Sequence, residues 1–137
     1  MTQEEKDLLL KDLCARIQYG VKCQVQEDEY TYIGTLCRIE VDNKNGHLLD
    51  FVETISGLDC QVYLTEVKPC LFPISRKTMT EEQKIIYGDL CNTVIHSLAW
   101  DKQALNELVD WLDKNNFDHR GLIPKGLAID ATNLNIY

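Results

Sequence analysis

The period of the hydrophobic pattern changes at Gly20, and this change most constrains what the chain can fold into. Before it, apolar residues recur at steps of three and four, which is typical of an amphipathic helix. They are Leu9, Leu10, Leu13, Cys14 and Ile17. Thr2 and Glu5 have the capping-box spacing with which such a helix begins. After Gly20 the period is two, as in a β-strand with one buried face. The sequence therefore predicts a helix over residues 1–19 and a sheet after it.

Four short runs with the two-residue period follow, separated by clusters of turn-forming residues. The inward-facing positions of the first two runs are predicted to be Val21, Cys23, Val25, Cys37, Ile39 and Val41. Charged residues at 27–29 and an Asn- and Gly-containing stretch at 42–46 are typical of hairpin turns. Gly34 interrupts the second run and predicts a bulge or kink. These features favour a small, strongly bent antiparallel sheet over residues 20–76, and an SH3-like barrel is the architecture that we predict.

Helical spacing returns after the sheet. Thr80 and Gln83 have capping-box spacing, and Asp101 is in position to cap a second helix. The predicted buried rows of the two helices are Tyr87, Cys91, Val94 and Leu98 in the first and Leu105, Leu108 and Leu112 in the second. The short link between them predicts a helix hairpin over residues 78–116.

Residues 117–137, FDHRGLIPKGLAIDATNLNIY, combine large apolar side chains with turn formers. The apolar residues are Leu122, Ile123, Leu127, Ile129, Leu134 and Ile136. Their burial contributes several kcal/mol at about 25 cal/mol per Å² of apolar surface, which is comparable to the stability of a whole small domain. This segment is therefore predicted to be an extended strap over the core. The complete expectation is one α+β domain over residues 1–137.

The chain is acidic, with 22 Asp and Glu against 14 Lys and Arg and a net charge of −8. DNA and anionic membranes attract basic surfaces, so we expect no direct nucleic-acid binding and no membrane binding. The excess acid is either a solvated surface or a face that imitates nucleic acid. The start of the chain, MTQEEKDLLLKDL, is charged throughout and has no apolar core of a secretion signal, so we expect a cytoplasmic protein.

The chemistry-bearing residues show no established catalytic spacing. The six cysteines include no C-x-x-C pair, and reduced structural thiols are predicted rather than a disulfide framework. No metal site and no cofactor are expected. Asp118 beside His119 could orient an imidazole for general-base catalysis, which would make the chain a small hydrolase. Neighbouring positions in an extended chain point apart, however, and the motif contains no nucleophile, so we predict that the protein is not an enzyme.

One stretch is a candidate partner surface. Tyr30 and Tyr32 are two residues apart, so they share a strand face, and they follow the acidic turn of Glu27, Asp28 and Glu29. Core packing of the two tyrosines is the alternative.

Three segments resemble a family of small proteins of no established activity from anaerobic gut bacteria and their phages. They are LLLKDLCARIQYGVKCQV, LTEVKPCLFPIS with MTEEQ, and the closing motif RGLIPKGLAIDATNLNIY. The resemblance implies a bacterial or phage-borne protein, and it carries over no functional residue. We therefore expect a non-enzymatic accessory protein of a phage or mobile element that binds another protein. An acidic nucleic-acid mimic that inhibits a host defence or DNA-binding protein, and the small hydrolase, are the alternatives.

Overall fold

A computed structural model describes residues 1–42, 46–96 and 102–137 of the chain. The helices in these ranges are α1 Gln3–Arg16, α2 Glu81–His96 and α3 Lys102–Lys114. The strands are β1 Lys22–Glu27, β2 Tyr30–Asp42, β3 Gly46–Glu53, β4 Asp59–Tyr63, β5 Val67–Leu71 and β6 Ile129–Asp130. Short 3₁₀ turns follow α1 at Ile17–Tyr19 and β4 at Leu64–Glu66. The predicted α+β class is confirmed.

The six strands form one mixed open sheet in the order β4-β3-β2-β1-β5-β6. Adjacent strands are antiparallel except β5 and β6, which are parallel. The predicted SH3-like barrel is not confirmed, because the sheet does not close on itself. Closure would require the outer edge of β5 to meet β4, and β6 occupies that edge instead.

The predicted strap supplies this sixth strand, so the sheet is not confined to residues 20–76. Ile129 pairs with Cys70, and the amide of Ala131 donates to the carbonyl of Leu71 at 2.8 Å. The hydroxyl of Tyr137 donates to the carbonyl of Cys70 at 2.8 Å and accepts from the amide of Lys22 at 3.0 Å. The segment after α3 is therefore attached to the sheet by backbone pairing as well as by apolar packing.

The main core lies between α1, the sheet and the strap. Its fully buried members include Leu9 and Leu13 of α1, together with Phe51 of β3 and Leu122 of the strap. The predicted inward residues Val21, Cys23 and Val25 are likewise fully buried. Leu134, by contrast, was predicted to be buried and is exposed.

A smaller core joins the strap to the helix hairpin. Met79, Leu112 and Phe117 are its buried residues. The ring of Trp111 stacks on Phe117 at 5.6 Å between centroids and on Tyr87 at 6.1 Å. The predicted row of α3 is correct for Leu112, whereas Leu105 is exposed.

The prediction for the second strand run is wrong for Cys37, which is exposed, and correct for Ile39, which packs against the main core. A β-bulge lies between Leu36 and Arg38 in the pairing of β2 with β3, two residues after the glycine where we predicted an irregularity. Leu36 is buried and Cys37 is exposed, because the extra residue at the bulge reverses the alternation. Gly34 has a different role: a Cβ there would lie 3.1 Å from Cβ of Phe51, so the glycine permits close packing.

The β1–β2 turn is where the sequence predicts it, with Glu27 paired to Tyr30 and Asp28 at a φ of 53°. Residues 43–45 of the turn predicted at 42–46 lie outside the described residues, as do Leu98, Asp101 and the side chain of Val41. In the described ranges, none of the helices has the length and apolar character that a bilayer span requires.

Candidate functional site

A buried charge cluster joins α1, α3 and the strap. It consists of Asp12, Arg16, Asp113, His119 and Arg120. Arg16 and Asp12 are fully buried and one helical turn apart, and Nε of Arg16 donates to both carboxylate oxygens of Asp12 at 3.0 Å. Nη2 of Arg16 donates to the carbonyl of Phe117 at 2.6 Å. Ion pairs this well enclosed form only when their hydrogen-bonding capacity is used.

The second half of the charge cluster centres on Asp113 at the end of α3. Nη1 of Arg120 donates to Asp113 at 2.9 Å and to Asp12 at 2.7 Å, so this guanidinium bridges the two carboxylates. Nε2 of His119 lies 2.7 Å from Oδ1 of Asp113. The two guanidiniums balance the charges of the two carboxylates.

The pKa of Asp113 reflects this environment. Burial alone would raise it, but hydrogen bonds from His119 and Arg120 and the charges of Arg120 and Arg16 outweigh burial. They lower the pKa from 3.8 to about 2. A carboxylate with so low a pKa is a poor general base at neutral pH. The charge cluster is thus suited to holding three segments together rather than to proton transfer.

The structure separates the two residues of the hydrolase hypothesis. Asp118 accepts from the amides of Leu122 at 2.8 Å and Ile123 at 2.9 Å, so its carboxylate caps the turn of the strap. His119 contacts Asp113 instead of its sequence neighbour. The pairing of Asp118 with His119 that the hypothesis requires is therefore replaced by two separate contacts.

An open groove runs along α2. Its volume is about 750 Å³, within the range of protein binding sites. The apolar part of its lining is Ile74, Met79, Ile85, Tyr87, Gly88 and Cys91. Arg76 and Lys84 provide positive charge at the same groove, and Lys84 is paired with Glu81 at 2.8 Å. We call this feature the α2 groove.

The helix that lines the groove is poorly covered by its own chain. Within the described helix Glu81–His96, no residue is buried. Ile85 is 66% exposed and Ile95 is 71% exposed. Full burial of an isoleucine side chain would stabilise the fold by about 2 kcal/mol. A Cβ at Gly88 would meet nothing within 4 Å, so no contact within the described chain requires a glycine in this helix.

The residues of the predicted partner surface at the β1–β2 turn differ in their exposure. Tyr30 and the acidic residues Glu27, Asp28 and Glu29 are exposed, whereas Tyr32 packs against the main core. Burial raises the pKa of Tyr32, as do its neighbours Cys60 and Glu27. Tyr32 is thus a structural residue, and Tyr30 is the free aromatic of the pair.

The described residues contain no group of three or more His, Cys, Asp and Glu side chains arranged to hold a metal ion. All six cysteines are described and are free thiols. Cys23 and Cys70 are buried, and burial raises the pKa of both, to about 11 for Cys70. Neither is therefore activated as a nucleophile.

Sequence reasoning missed both the charge cluster and the α2 groove. The four-residue spacing of Asp12 and Arg16 was a local signal for one ion pair. Nothing local relates that pair to Asp113 or Arg120, which lie about a hundred residues further on. The groove had one weak signal, the glycine within the helical pattern of α2.

No protein-family model, curated protein or solved structure matches this chain. The geometry of its side chains is the basis for a functional conclusion.

Proposed function

We propose that this chain is a non-enzymatic protein-binding module whose α2 groove receives apolar side chains of a partner protein. We further propose that it acts in the cytoplasm of a bacterium as an accessory protein of a phage or mobile element. The origin rests on the resemblance of residues 117–137 and two other segments to small gut-bacterial and phage proteins.

The observation that carries the proposal is the exposure of α2. A helix of 16 residues gains most of its stability in a protein from packing one face, and α2 packs only half-buried side chains. Exposed isoleucines beside an open apolar groove are typical of surfaces that bind other proteins. The glycine at position 88 lets a partner's backbone approach α2 closely.

The arrangement of the described titratable groups supports a non-enzymatic role. Each side chain of the charge cluster is hydrogen-bonded to another member, and Asp118 is bonded to backbone amides. The nucleophile-type side chains that line the described α2 groove are Ser75, Lys84, Tyr87 and Cys91, and no imidazole lines the groove to activate them. Binding thus explains the groove better than catalysis.

The nucleic-acid mimic is the weaker proposal. Mimicry requires carboxylates spaced in rows like phosphates, and we find carboxylates of the described β-turns interspersed with exposed Ile55 and Leu58. Apolar side chains between charges favour a mixed apolar and ionic contact with a protein.

Site-specific photo-crosslinking in cells that produce the protein tests the proposal. A photoreactive residue at position 85 should yield a discrete crosslinked product with a second protein. The same residue at Thr93, which is exposed on α2 but does not line the groove, should yield none. Introducing Ile74→Glu at the rim of the groove should reduce the product at position 85. Equal products from both positions, or no product from position 85, would contradict the proposal.

A further inference from the structure

We propose that one end of the sheet is a second docking surface, which binds a protein segment carrying Lys or Arg next to apolar side chains. We call this surface the end patch. It consists of Tyr30, Ile55 and Leu58, with the carboxylates of Glu27, Asp28 and Glu29. The end patch is separate from the α2 groove. It selects for basic and apolar side chains in the partner, which the proposed function leaves unspecified.

Two turns lie at this end of the sheet. The β1–β2 turn contains Asp28 and Glu29, and the β3–β4 turn contains residues 54–58. The amide of Thr54 donates to the carbonyl of Ile33 at 3.0 Å, which attaches the second turn to β2 three residues from Tyr30. The pairing of β2 with β3 also begins at this end, where Gly34 lies opposite Glu53.

The apolar side chains at this end are exposed to an unusual degree. Ile55 is 94% exposed, Tyr30 76% and Leu58 67%. The turn that carries two of them is well ordered by hydrogen bonds, because the amide of Glu53 donates to the carbonyl of Leu58 and the amide of Gly57 donates to the carbonyl of Glu53, both at 2.9 Å. The isoleucine and leucine are therefore held in water by a defined turn, and a turn requires neither residue type.

The charge around these side chains is of one sign. Residues 24–35 and 50–61, which form the two turns and the adjoining strands, contain six acidic residues and no Lys or Arg. The acidic residues are Glu27, Asp28, Glu29, Asp50, Glu53 and Asp59. Arg38 of β2 lies opposite Asp50 and offsets that charge, whereas Glu27, Asp28 and Glu29 have no Lys or Arg in their turn. A negatively charged turn of this kind attracts cations and repels phosphates and anionic lipids.

The two properties together define the occupant. A highly charged basic segment without apolar residues would leave Ile55, Leu58 and Tyr30 in water, and a purely apolar segment would leave the carboxylates uncompensated. A segment in which basic and apolar side chains are interspersed satisfies both, since aliphatic stems of Lys and Arg also cover apolar surface. An aromatic ring such as Tyr30 adds a face for a cation.

Fluorescence anisotropy with the full chain tests this proposal. The probe is a short fluorescein-labelled peptide in which Lys and Leu alternate. The double variant Ile55→Ser/Leu58→Ser should raise its Kd by about tenfold or more, the loss expected for two apolar contacts. Asp28→Asn/Glu29→Gln should raise the Kd several-fold at low ionic strength and less at high ionic strength. The matched controls Leu105→Ser and Asp110→Asn alter an exposed apolar residue and an exposed acid on α3, and they should leave the Kd unchanged.

Two further measurements make the outcome decisive. Backbone amide shifts on peptide addition should concentrate in residues 27–31 and 54–59. Shifts centred on α2, or an equal rise of the Kd in the control variants, would overturn the end patch while leaving the α2 groove untouched. The alternative occupant is a second copy of the chain, which sedimentation of the protein alone detects as a dimer. A dimer that disappears in Ile55→Ser/Leu58→Ser would assign the surface to self-association and overturn the proposal.

Discussion

The guanidinium of Arg16 donates a hydrogen bond of 2.6 Å to the backbone carbonyl of Phe117, which is 101 residues away in sequence. Both residues are buried, and Phe117 also belongs to the small core under the helix hairpin. A single side chain of α1 therefore holds the start of the strap and links the two cores. Because a long charged side chain loses much conformational freedom on burial, this contact forms only where the rest of the charge cluster supports it.

Removing this guanidinium should be severely destabilising. Arg16→Met removes both Nε hydrogen bonds to the buried Asp12 and leaves the carbonyl of Phe117 without this donor. We expect a loss of about 3–5 kcal/mol in the free energy of unfolding, measured by urea denaturation. Arg38→Met is the control, because the Arg38 side chain is largely exposed, and it should change stability by about 0.5 kcal/mol or less. A loss below about 1 kcal/mol for Arg16→Met would show that the charge cluster is not needed for folding.

Stability should fall in acid through Asp113. The pKa of Asp113 is about 2 in the folded protein and 3.8 in the unfolded chain, so the folded state binds the proton more weakly. The stabilisation of the folded state by ionised Asp113 is fully present above pH 3.8, and it is lost as the pH falls through about 2. It amounts to about 2 kcal/mol. The difference in unfolding free energy between the wild type and Asp113→Asn should therefore shrink as the pH falls from 5 to 2. A difference that stays constant over this range contradicts the assignment.

Two glycine-to-alanine changes should have opposite effects. Gly34→Ala places a Cβ 3.1 Å from Phe51 and 3.3 Å from the carbonyl of Val52, and we expect a loss of about 1–3 kcal/mol. Gly88→Ala fills open space within α2 and should stabilise the protein by about 0.5–1 kcal/mol. Thermal melts of the two variants compare the effects directly. No gain in stability for Gly88→Ala would contradict a helical backbone at this position.

The strap should contribute to stability chiefly through its buried leucines. Leu127→Ala removes a side chain that is 4% exposed in the main core and should cost about 2–5 kcal/mol. Ile129 of β6 is half-buried, so Ile129→Ala should lower the free energy of unfolding by less than Leu127→Ala. Lys125→Ala is the matched control, because its side chain is exposed, and it should leave the melting temperature nearly unchanged. Equal midpoints for all three variants would mean that the strap is dispensable for folding.

The thiols should react in an order set by burial. Without reductant, the denatured protein should titrate close to all six cysteines, and two or fewer would indicate disulfides. In the native protein, a thiol reagent should modify the exposed Cys14 and Cys37 first. Cys23 and Cys70 should react last, because burial raises the pKa of each thiol and blocks access. Mass spectrometry of partly modified protein identifies the sites.

Local sequence patterns were sufficient to predict most of the helices and strands. The capping box at Thr80 forms in both directions with Gln83, and at Thr2 the side chain accepts from the amide of Glu5. The alternation of Val21, Cys23 and Val25 identified the buried face of β1. These features depend on residues a few positions apart, whose geometry the backbone period already specifies.

Long-range pairing was beyond such patterns. Nothing near Ile129 indicates that it forms a parallel strand beside Cys70, and a two-residue strand has no period to detect. The bulge at Leu36 depends on the register of β3, and with it the exposure of Cys37. Whether the sheet closes also depends on long-range pairing, because it is decided by which distant segment pairs with the edge of β5.

The functional surfaces divide in the same way. The sequence by itself determined the acidic balance of the chain, the exposed turn of Glu27, Asp28 and Glu29, and the lack of a recognised catalytic motif, because each is a property of composition or of neighbouring residues. Only the tertiary structure decided that Tyr32 packs inward, that Ile55 joins Tyr30 at one end of the sheet, and that α2 remains uncovered. Exposure is the outcome of competition among all apolar side chains for a limited core, so it is specified by the whole fold and not by any single segment.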